Sequence, residues 1–167
     1  GSMGRQWVRW VCLIIMLAVA IPSGYQLFRS EQHTDSTRQH AAAFDSRAWM
    51  LSLSIAKLQA AQLAYVAGGQ DAKRWFASVD RQLEAVVTGM AQLTSMARSA
   101  GARDALAMVD TTVERFRGID GMAREHVING ETLMASDLVF ADGRELARRA
   151  NAELADARTA EAVMQEL

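Results

Sequence analysis

A long, mostly apolar segment near the N-terminus constrains this chain more than any other feature. It runs from Trp7 to Phe28 and carries no charge between Arg9 and Arg29. About 19 mostly apolar residues in a row are enough for an α-helix to cross a hydrocarbon core of about 30 Å. We therefore predict that residues 7–29 form a transmembrane helix that anchors the protein in a membrane.

The charges before this segment predict its orientation. Arg5 and Arg9 precede the apolar run, and positive residues mark the cytoplasmic side of a membrane helix. We interpret residues 1–6 as a cytoplasmic N-terminus that begins with an expression-tag scar, Gly1-Ser2. The anchor would then be in contact with membrane lipid, and the chain after about residue 29 would lie outside the cytoplasm.

Two other interpretations of the same segment remain open. A cleaved signal peptide would use Ala18-Val19-Ala20 as its cleavage site after a short apolar run. A buried core helix of a soluble protein is disfavoured by the length of the segment. The apolar character continues to Phe28, which a signal peptide does not need, so we favour the uncleaved anchor. Both the anchor and the signal peptide would place the remaining chain outside the cytoplasm.

The chain beyond residue 30 has the composition of an all-α domain. It lacks the alternating pattern of strands, and glycine-containing breaks divide it into long amphipathic segments. These segments predict helices over about residues 31–67, 71–98, 102–128 and 132–167. Loops this short cannot cross a bundle, so consecutive helices must be antiparallel neighbours. We predict that residues 30–167 form an up-down-up-down four-helix bundle.

Each predicted helix carries a stripe of residues that alternates steps of four and three, the spacing that faces a partner helix. The stripe of the first helix consists of Phe44, Ala48, Leu51, Ile55, Leu58, Gln62 and Tyr65. The weaker stripe of the last helix consists of Phe140, Gly143, Ala147, Ala150, Leu154, Ala157 and Met164. We expect these residues to form the core of the bundle.

Polar and glycine residues interrupt these stripes at one height of the predicted bundle. Gln62 and Asp120 occupy positions that should be apolar, and Asp142 lies at the same level. Three helix-interior glycines are found nearby: Gly118, Gly121 and Gly143. Such a glycine costs about 1 kcal/mol relative to alanine, and an unpaired buried carboxylate costs more. We predict a ligand pocket with Gln62, Asp120 and Asp142 as polar contacts and Arg74 and Arg117 as counter-charges; the alternative is a locally wet or kinked stretch of bundle.

A second apolar stripe on the first predicted helix indicates a second partner. It lies one residue from the first stripe, which is about 100° around a helix. Its members are Trp49, Leu53, Ala56, Ala60 and Leu63. We predict that this strip is the interface of a homodimer. The alternative is that it packs on another helix of the same bundle.

The sequence gives no basis for catalysis or for a bound cofactor. The only cysteine, Cys12, lies in the apolar segment, so a disulfide framework or cysteine zinc site is excluded. The histidines, His33, His40 and His126, lack the spacing of a metal site, and no nucleotide-binding fingerprint is present. A net charge of −1 gives no electrostatic basis for binding nucleic acid. We expect a protein without catalytic residues, metal or cofactor.

The predicted architecture resembles the four-helix-bundle sensor domains of bacterial transmembrane receptors: chemoreceptors, sensor histidine kinases and diguanylate cyclases. Within it, Tyr65–Trp75 is similar to the Tyr-Leu-Leu-Thr-Gly-Asp turn, followed by an aromatic residue, of the CHASE-type branch. A second run, Asp137–Gly143, is similar to a segment of related receptor ectodomains. The resemblance implies an anchor in the bacterial inner membrane, with the residues after about 29 in the periplasm. These residues would form an input module, usually dimeric, that passes a small helix displacement through the membrane. Its partner would be a small molecule or a ligand-loaded binding protein.

A membrane-anchored scaffold or stalk, which binds another protein without sensing a small ligand, is the rival interpretation. The chain stops at Leu167 inside a predicted helix, and we expect it to be part of a longer protein. A second apolar stretch of about 20 residues beyond that point, followed by a signalling module, would favour the receptor. A stop codon there would favour the scaffold.

Overall fold

The computed structural model describes residues 36–67, Gly69 and residues 71–164. The predicted anchor at residues 7–29 and the N-terminal residues 1–6 lie outside this part of the chain. Within the described part, no helix is both long enough and apolar enough to span a membrane.

The chain divides into two units between His40 and Ala41. Residues 36–40, the described part of the first unit, are helical. The second unit begins at Ala41. Its described residues form helices and no strand, which confirms the all-α class. The helices are α1 (41–66), α2 (Ala72–Met96), α3 (Ala100–Ile128), α4 (Thr132–Asp137) and α5 (Arg144–Met164), with a π-helix, Leu138–Gly143, between the last two.

Helix α3 begins at Ala100, two residues before the predicted start, because Ser99 caps it. The backbone N–H of Ala102 donates to the Ser99 hydroxyl oxygen at 2.9 Å, which satisfies one of the free donors of the first turn. The carboxylate of Glu161 on α5, itself only 1% exposed, accepts from the backbone N–H groups of Arg98 and Ser99. The turn between α2 and α3 is therefore fixed both by the Ser99 cap and by the Glu161 carboxylate of α5.

The other end of α3 is closed by a glycine in the left-handed region. Gly130 has a φ of 77°, which costs a residue without Cβ little. Its N–H donates to the Val127 carbonyl at 3.1 Å, and the Glu131 N–H donates to the His126 carbonyl at 2.8 Å. These two bonds form a Schellman motif, which ends the helix and reverses the chain.

One face of each long helix is buried, and most of its residues are at the spacing that the sequence predicts. On α1 the seven predicted stripe residues are all buried: Phe44, Ala48, Leu51, Ile55, Leu58, Gln62 and Tyr65. On α3 the buried face includes Leu106, Val109, Val113, Phe116, Asp120 and Ala123. The face of α5 is made of smaller side chains: Ala147, Ala150, Leu154 and Ala157. Small residues allow α5 to approach its neighbours closely.

The predicted stripe of the last helix is wrong at both of its ends. Phe140 is 57% exposed, and Val139 is buried in its place; Met164 is 49% exposed, and Glu161 is buried. The cause at the first end is the π-helix Leu138–Gly143. Its i→i+5 hydrogen bonds widen the turn, so a count at the α-helical period assigns the wrong residue to the core. At the other end, Glu161 accepts hydrogen bonds from backbone N–H groups. These bonds offset the unfavourable free energy of burying its carboxylate.

The helices contact one another at several heights. The rings of Tyr65 on α1 and Phe76 on α2 are 4.9 Å apart between centroids and meet edge to face. Arg47, near the start of α1, donates to the side-chain oxygen of Gln92, near the end of α2, at 2.7 Å. Helix α5 has polar pairs with α1 and α3: Arg158 with Asp45, Asn151 with Ser52 and Glu153 with Thr112. The described residues therefore form a helical, bundle-like fold.

Candidate ligand-binding site

Gln62 and Asp120, the two polar residues of the predicted stripes, meet inside the fold. Gln62 is fully buried on α1, and Asp120 is 3% exposed on α3. The Gln62 Nε2 donates to Asp120 Oδ1 at 3.1 Å, and the Tyr65 hydroxyl donates to the same oxygen at 2.8 Å. With Arg124, these residues form what we call the polar cluster.

Arg124 supplies the positive charge of the polar cluster. Its Nε lies 2.7 Å from Asp120 Oδ2, as an ion pair whose N–H is not aligned for a hydrogen bond. Its Nη2 donates to Asp80 Oδ1 at 2.8 Å and to the Phe76 carbonyl at 3.3 Å. The guanidinium carbon also lies 5.0 Å from the centre of the Phe76 ring, within the range of a cation–π contact. Arg124 thus joins α3 to α2.

The surroundings of the polar cluster fix its charge state. Burial raises the pKa of the Tyr65 hydroxyl, and the nearby charge of Asp120 raises it further. For Arg124, burial lowers the pKa, but the hydrogen bond to Asp80 and the charge of Asp120 outweigh that effect and raise it. The phenol therefore stays neutral and the guanidinium stays charged at physiological pH.

The carbonyl oxygen of Gln62, Oε1, is a second atom of the polar cluster, beside the Arg124 Nε, that is buried without a hydrogen bond among the described residues. It faces Gly143 at the end of the π-helix, where a Cβ would lie only 2.5 Å from it. Because the amide nitrogen donates to Asp120, the oxygen must point this way. Position 143 has no room for a side chain, so glycine is required there. The π-helix therefore lies against the polar cluster, and such helices are often found at functional sites.

Two grooves flank α3 beside the polar cluster. The α2–α3 groove has a volume of about 660 Å³ and includes Asp120 and Arg124 in its wall. Its other lining residues are Asp80, Leu83, Glu84, Val87, Thr88, Arg117 and Gly121. The α3–α5 groove has a volume of about 510 Å³. It is lined by Arg115, Gly118, Ile119, Met122, Asp142, Glu145 and Leu146.

The structure distributes the other predicted contacts over different places. Arg117 lines the α2–α3 groove and lies 3.6 Å from Glu114 on its own helix. Asp142 lines the α3–α5 groove instead. Arg74 is exposed and lines neither groove. Of the five predicted contacts, the structure thus brings Gln62 and Asp120 together, and only Arg117 shares a groove with Asp120.

Two glycines of α3 are not required by any contact among the described residues. A Cβ at Gly118 or Gly121 would meet no atom of these residues within 4 Å, and neither glycine has a positive φ. Each nevertheless costs about 1 kcal/mol relative to alanine in a helix interior. Gly121 lines the α2–α3 groove and Gly118 lines the α3–α5 groove. Their absent side chains leave the α3 backbone open to a molecule in either groove.

Tyr65 and Arg124 were not predicted as site residues. Tyr65 fits the apolar stripe, so its hydroxyl carries no signal in a hydropathy pattern. Arg124 follows Asp120 by four residues, the spacing of an ion pair along one helix face. That spacing was the available signal.

The strip predicted as a dimer interface is exposed over most of its length. Trp49 is 60% and Leu53 is 56% exposed. Ala56 and Ala60 are exposed as well, and Leu63 is half-buried against the core. The guanidinium of Arg158 lies 4.9 Å from the centre of the Trp49 ring. The homodimer stays a prediction, now with an exposed surface that suits it.

The site has to be interpreted from its own geometry. Among the residues that the structure describes, no three His, Cys, Asp or Glu side chains are grouped to hold a metal ion. Comparison of the chain with protein-family models, curated proteins and solved structures finds no match.

Proposed function

We propose that this chain is the extracytoplasmic input domain of a bacterial membrane receptor, which senses a small molecule or a ligand-loaded binding protein. The observation that carries the proposal is a charged cluster buried in the core yet lining an open groove. Asp120 is 3% exposed and forms part of the α2–α3 groove. Burying a carboxylate is unfavourable unless it is paired, and such groups concentrate at functional sites.

The proposed architecture is an antiparallel up-down-up-down bundle. The contacts described above pair the start of α1 with the end of α2, and the end of α1 with the start of α2. The polar pairs between α1 and α5 follow the same opposite order, and the short turns favour it. In this arrangement, α1 begins and α5 ends at the same end of the bundle. Residues 7–29 would serve as an inner-membrane anchor, and the bundle would lie in the periplasm.

Signalling in this proposal uses the first and last helices. Binding beside the polar cluster would change the contacts among α1, α3 and the π-helix, since Gln62 touches both Asp120 and Gly143. A homodimer through the strip at Trp49 would place two anchors side by side. Small shifts of one packed helix against another are an established kind of switch.

A membrane-anchored scaffold is the second candidate, and exposed apolar residues at the α3–α4 turn favour it. Ile128 is 74%, Leu133 is 78% and Met134 is 57% exposed. Contiguous exposed apolar residues often mark a surface that binds another protein. A scaffold would use this surface without any response to a small ligand.

Location is tested by fusing alkaline phosphatase after Leu167, because this enzyme folds to an active form only outside the cytoplasm. We expect activity from the full chain in a bacterium and none from the matched fusion that lacks residues 7–29. The full chain should stay with the membrane after carbonate extraction. N-terminal sequencing that begins at Ile21 would instead establish a signal peptide, and an inactive full-chain fusion would contradict the proposal.

Sensing is tested on the full chain in detergent micelles with a library of small metabolites. We expect at least one compound to raise the melting temperature of the wild type. Asp120→Asn, which keeps the size and one acceptor oxygen of the side chain, should reduce that shift and retain the helical circular dichroism. A chain that responds to no compound, and captures another protein in a manner abolished by Leu133→Asp, would favour the scaffold.

A further inference from the structure

The charged side chains of the α2–α3 groove differ between its two helices. Helix α2 contributes the carboxylates of Asp80 and Glu84. Helix α3 contributes the guanidinium groups of Arg117 and Arg124 and the buried carboxylate of Asp120, which pairs with Arg124. Asp80 and Arg124 already pair across the groove at 2.8 Å. Glu84 and Arg117 are both exposed and do not pair with each other; among the described residues, Glu84 has no ion pair and Arg117 has only the 3.6 Å contact with Glu114.

The surface between these charged walls is apolar and open. Leu83 and Val87 line it, and Val87 is 44% exposed although it is a large apolar residue. Gly121 lies opposite on α3 with open space where a side chain would be. The groove volume of about 660 Å³ is within the range of about 300–1,000 Å³ that is usual for small-molecule sites.

We propose that the α2–α3 groove binds a small zwitterion with a branched aliphatic body. Its ammonium group would be held by Glu84 and its carboxylate by Arg117, while its body covers Leu83 and Val87 and approaches the α3 backbone at Gly121. This inference rests on the proposed function, since it names the kind of ligand that the input domain would sense. A simple cation would make no use of Arg117, and a simple anion would make no use of Glu84.

The probes are three molecules of the same shape and different charge. L-Leucine carries both charges, L-leucinamide carries only the ammonium group, and 4-methylpentanoate carries only the carboxylate. Titration calorimetry on the full chain in detergent micelles should show binding of L-leucine. Each single-charge probe should bind about ten- to a hundredfold more weakly, because it lacks one charge-assisted hydrogen bond.

Two charge variants test which side of the groove binds which charged group of the ligand. Glu84→Gln should weaken L-leucine and L-leucinamide about tenfold or more and leave 4-methylpentanoate unchanged. Arg117→Gln should weaken L-leucine and 4-methylpentanoate and leave L-leucinamide unchanged. A variant that affects all three probes equally would contradict the assignment of its wall.

A pair of glycine variants locates the site. Gly121→Leu should abolish L-leucine binding, because its side chain extends into the α2–α3 groove where the ligand body would lie. Gly118→Leu, on the same helix but in the α3–α5 groove, should leave it unchanged. Both positions are exposed and a Cβ at either meets no described atom within 4 Å, so we expect both variants to fold; the melting temperature without ligand checks this. This readout separates loss of binding from loss of folding.

The inference is overturned if none of L-leucine, L-isoleucine and L-valine binds, if L-leucinamide binds as well as L-leucine, or if Gly121→Leu binds like the wild type. A library compound that stabilises the chain through another surface would leave the receptor proposal standing while this inference fails. A fusion at Leu167 without phosphatase activity would reject the receptor, whatever the groove binds.

Discussion

The Asp120 carboxylate holds the polar cluster together. Its Oδ1 accepts from Gln62 and Tyr65, and its Oδ2 faces Arg124. A buried charge of this kind contributes little net stability compared with an apolar residue, but removing one partner leaves the others unsatisfied. Single substitutions in the polar cluster should therefore lower the free energy of unfolding strongly.

Asp120→Ala should lower the free energy of unfolding by about 3 kcal/mol, because the Tyr65 hydroxyl and the Gln62 amide lose their acceptor. Asp120→Asn should cost less, since an amide oxygen can still accept from both groups. Denaturant unfolding of the full chain measures both values, and helical content should be unchanged in water. A higher melting temperature for Asp120→Ala would mean that the carboxylate is only a tolerated defect of the core.

Tyr65 should make the fold sensitive to alkaline pH. Its pKa is raised above the ordinary value of 10.0, so the folded state keeps the phenolic proton after the unfolded state has begun to lose it. The resulting stabilisation is complete below about pH 10 and falls as the pH rises further, by up to about 1.4 kcal/mol per unit. Tyr65→Phe has no such proton and should lose less stability between about pH 9 and 11. Equal losses in the two proteins would contradict the linkage.

The sequence reveals some residues of the cluster and conceals others for physical reasons. Gln62 and Asp120 stand out because a polar residue on an apolar stripe must be paired. Tyr65 satisfies the hydropathy pattern with its ring, so its hydroxyl remains hidden. Asp80 joins Arg124 from a different helix, and that pairing depends on the relative height of α2 and α3, which periodicity does not specify.

At the level of the helices, apolar spacing predicts α1 well and the last helix less well. The α1 stripe is buried throughout because an undistorted α-helix keeps the heptad count in phase. The π-helix Leu138–Gly143 breaks that phase, and its backbone bonding has no side-chain pattern by which it can be recognised. Val139 therefore replaces Phe140 in the core, and Gly143 is placed against Gln62.

Gly143→Ala and Gly118→Ala form a matched pair. The first places a Cβ 2.5 Å from Gln62 Oε1 and should destabilise the fold by about 1–3 kcal/mol, the usual cost of overpacking. The second meets open space and should stabilise it by up to about 1 kcal/mol through helix propensity. Thermal unfolding of the full chain measures both.

The clash at Gly143 has its own control. In a Gln62→Ala background, Gly143→Ala should become neutral or stabilising, because the opposing oxygen is gone. Such a coupling is the signature of residues in direct contact. If Gly143→Ala is equally harmful in both backgrounds, the glycine is needed by the π-helix itself and not by Gln62.

For the whole molecule, the exposed strip on α1 predicts how two chains associate. Trp49 and Leu53 are more than half exposed, and a two-fold axis would pair the strip with its own copy. Ala56→Cys should then form an intermolecular disulfide on oxidation, since residues beside such an axis bring their Cα atoms within about 7 Å. Lys57→Cys, one residue around the helix, is the control. Equal crosslinking of the two variants, or a full chain that stays monomeric in membranes, would reject this interface.

The bond between Glu161 and the α2–α3 turn has a mechanical consequence. Its carboxylate accepts from the Arg98 N–H at 3.0 and 3.1 Å and from the Ser99 N–H at 3.1 Å. They link α5 directly to the backbone of the turn. A force on α5 would therefore act on the turn and on the start of α3 as well as on α5 itself. In hydrogen exchange, the amides of Arg98 and Ser99 should be protected in the wild type and exchange faster in Glu161→Ala.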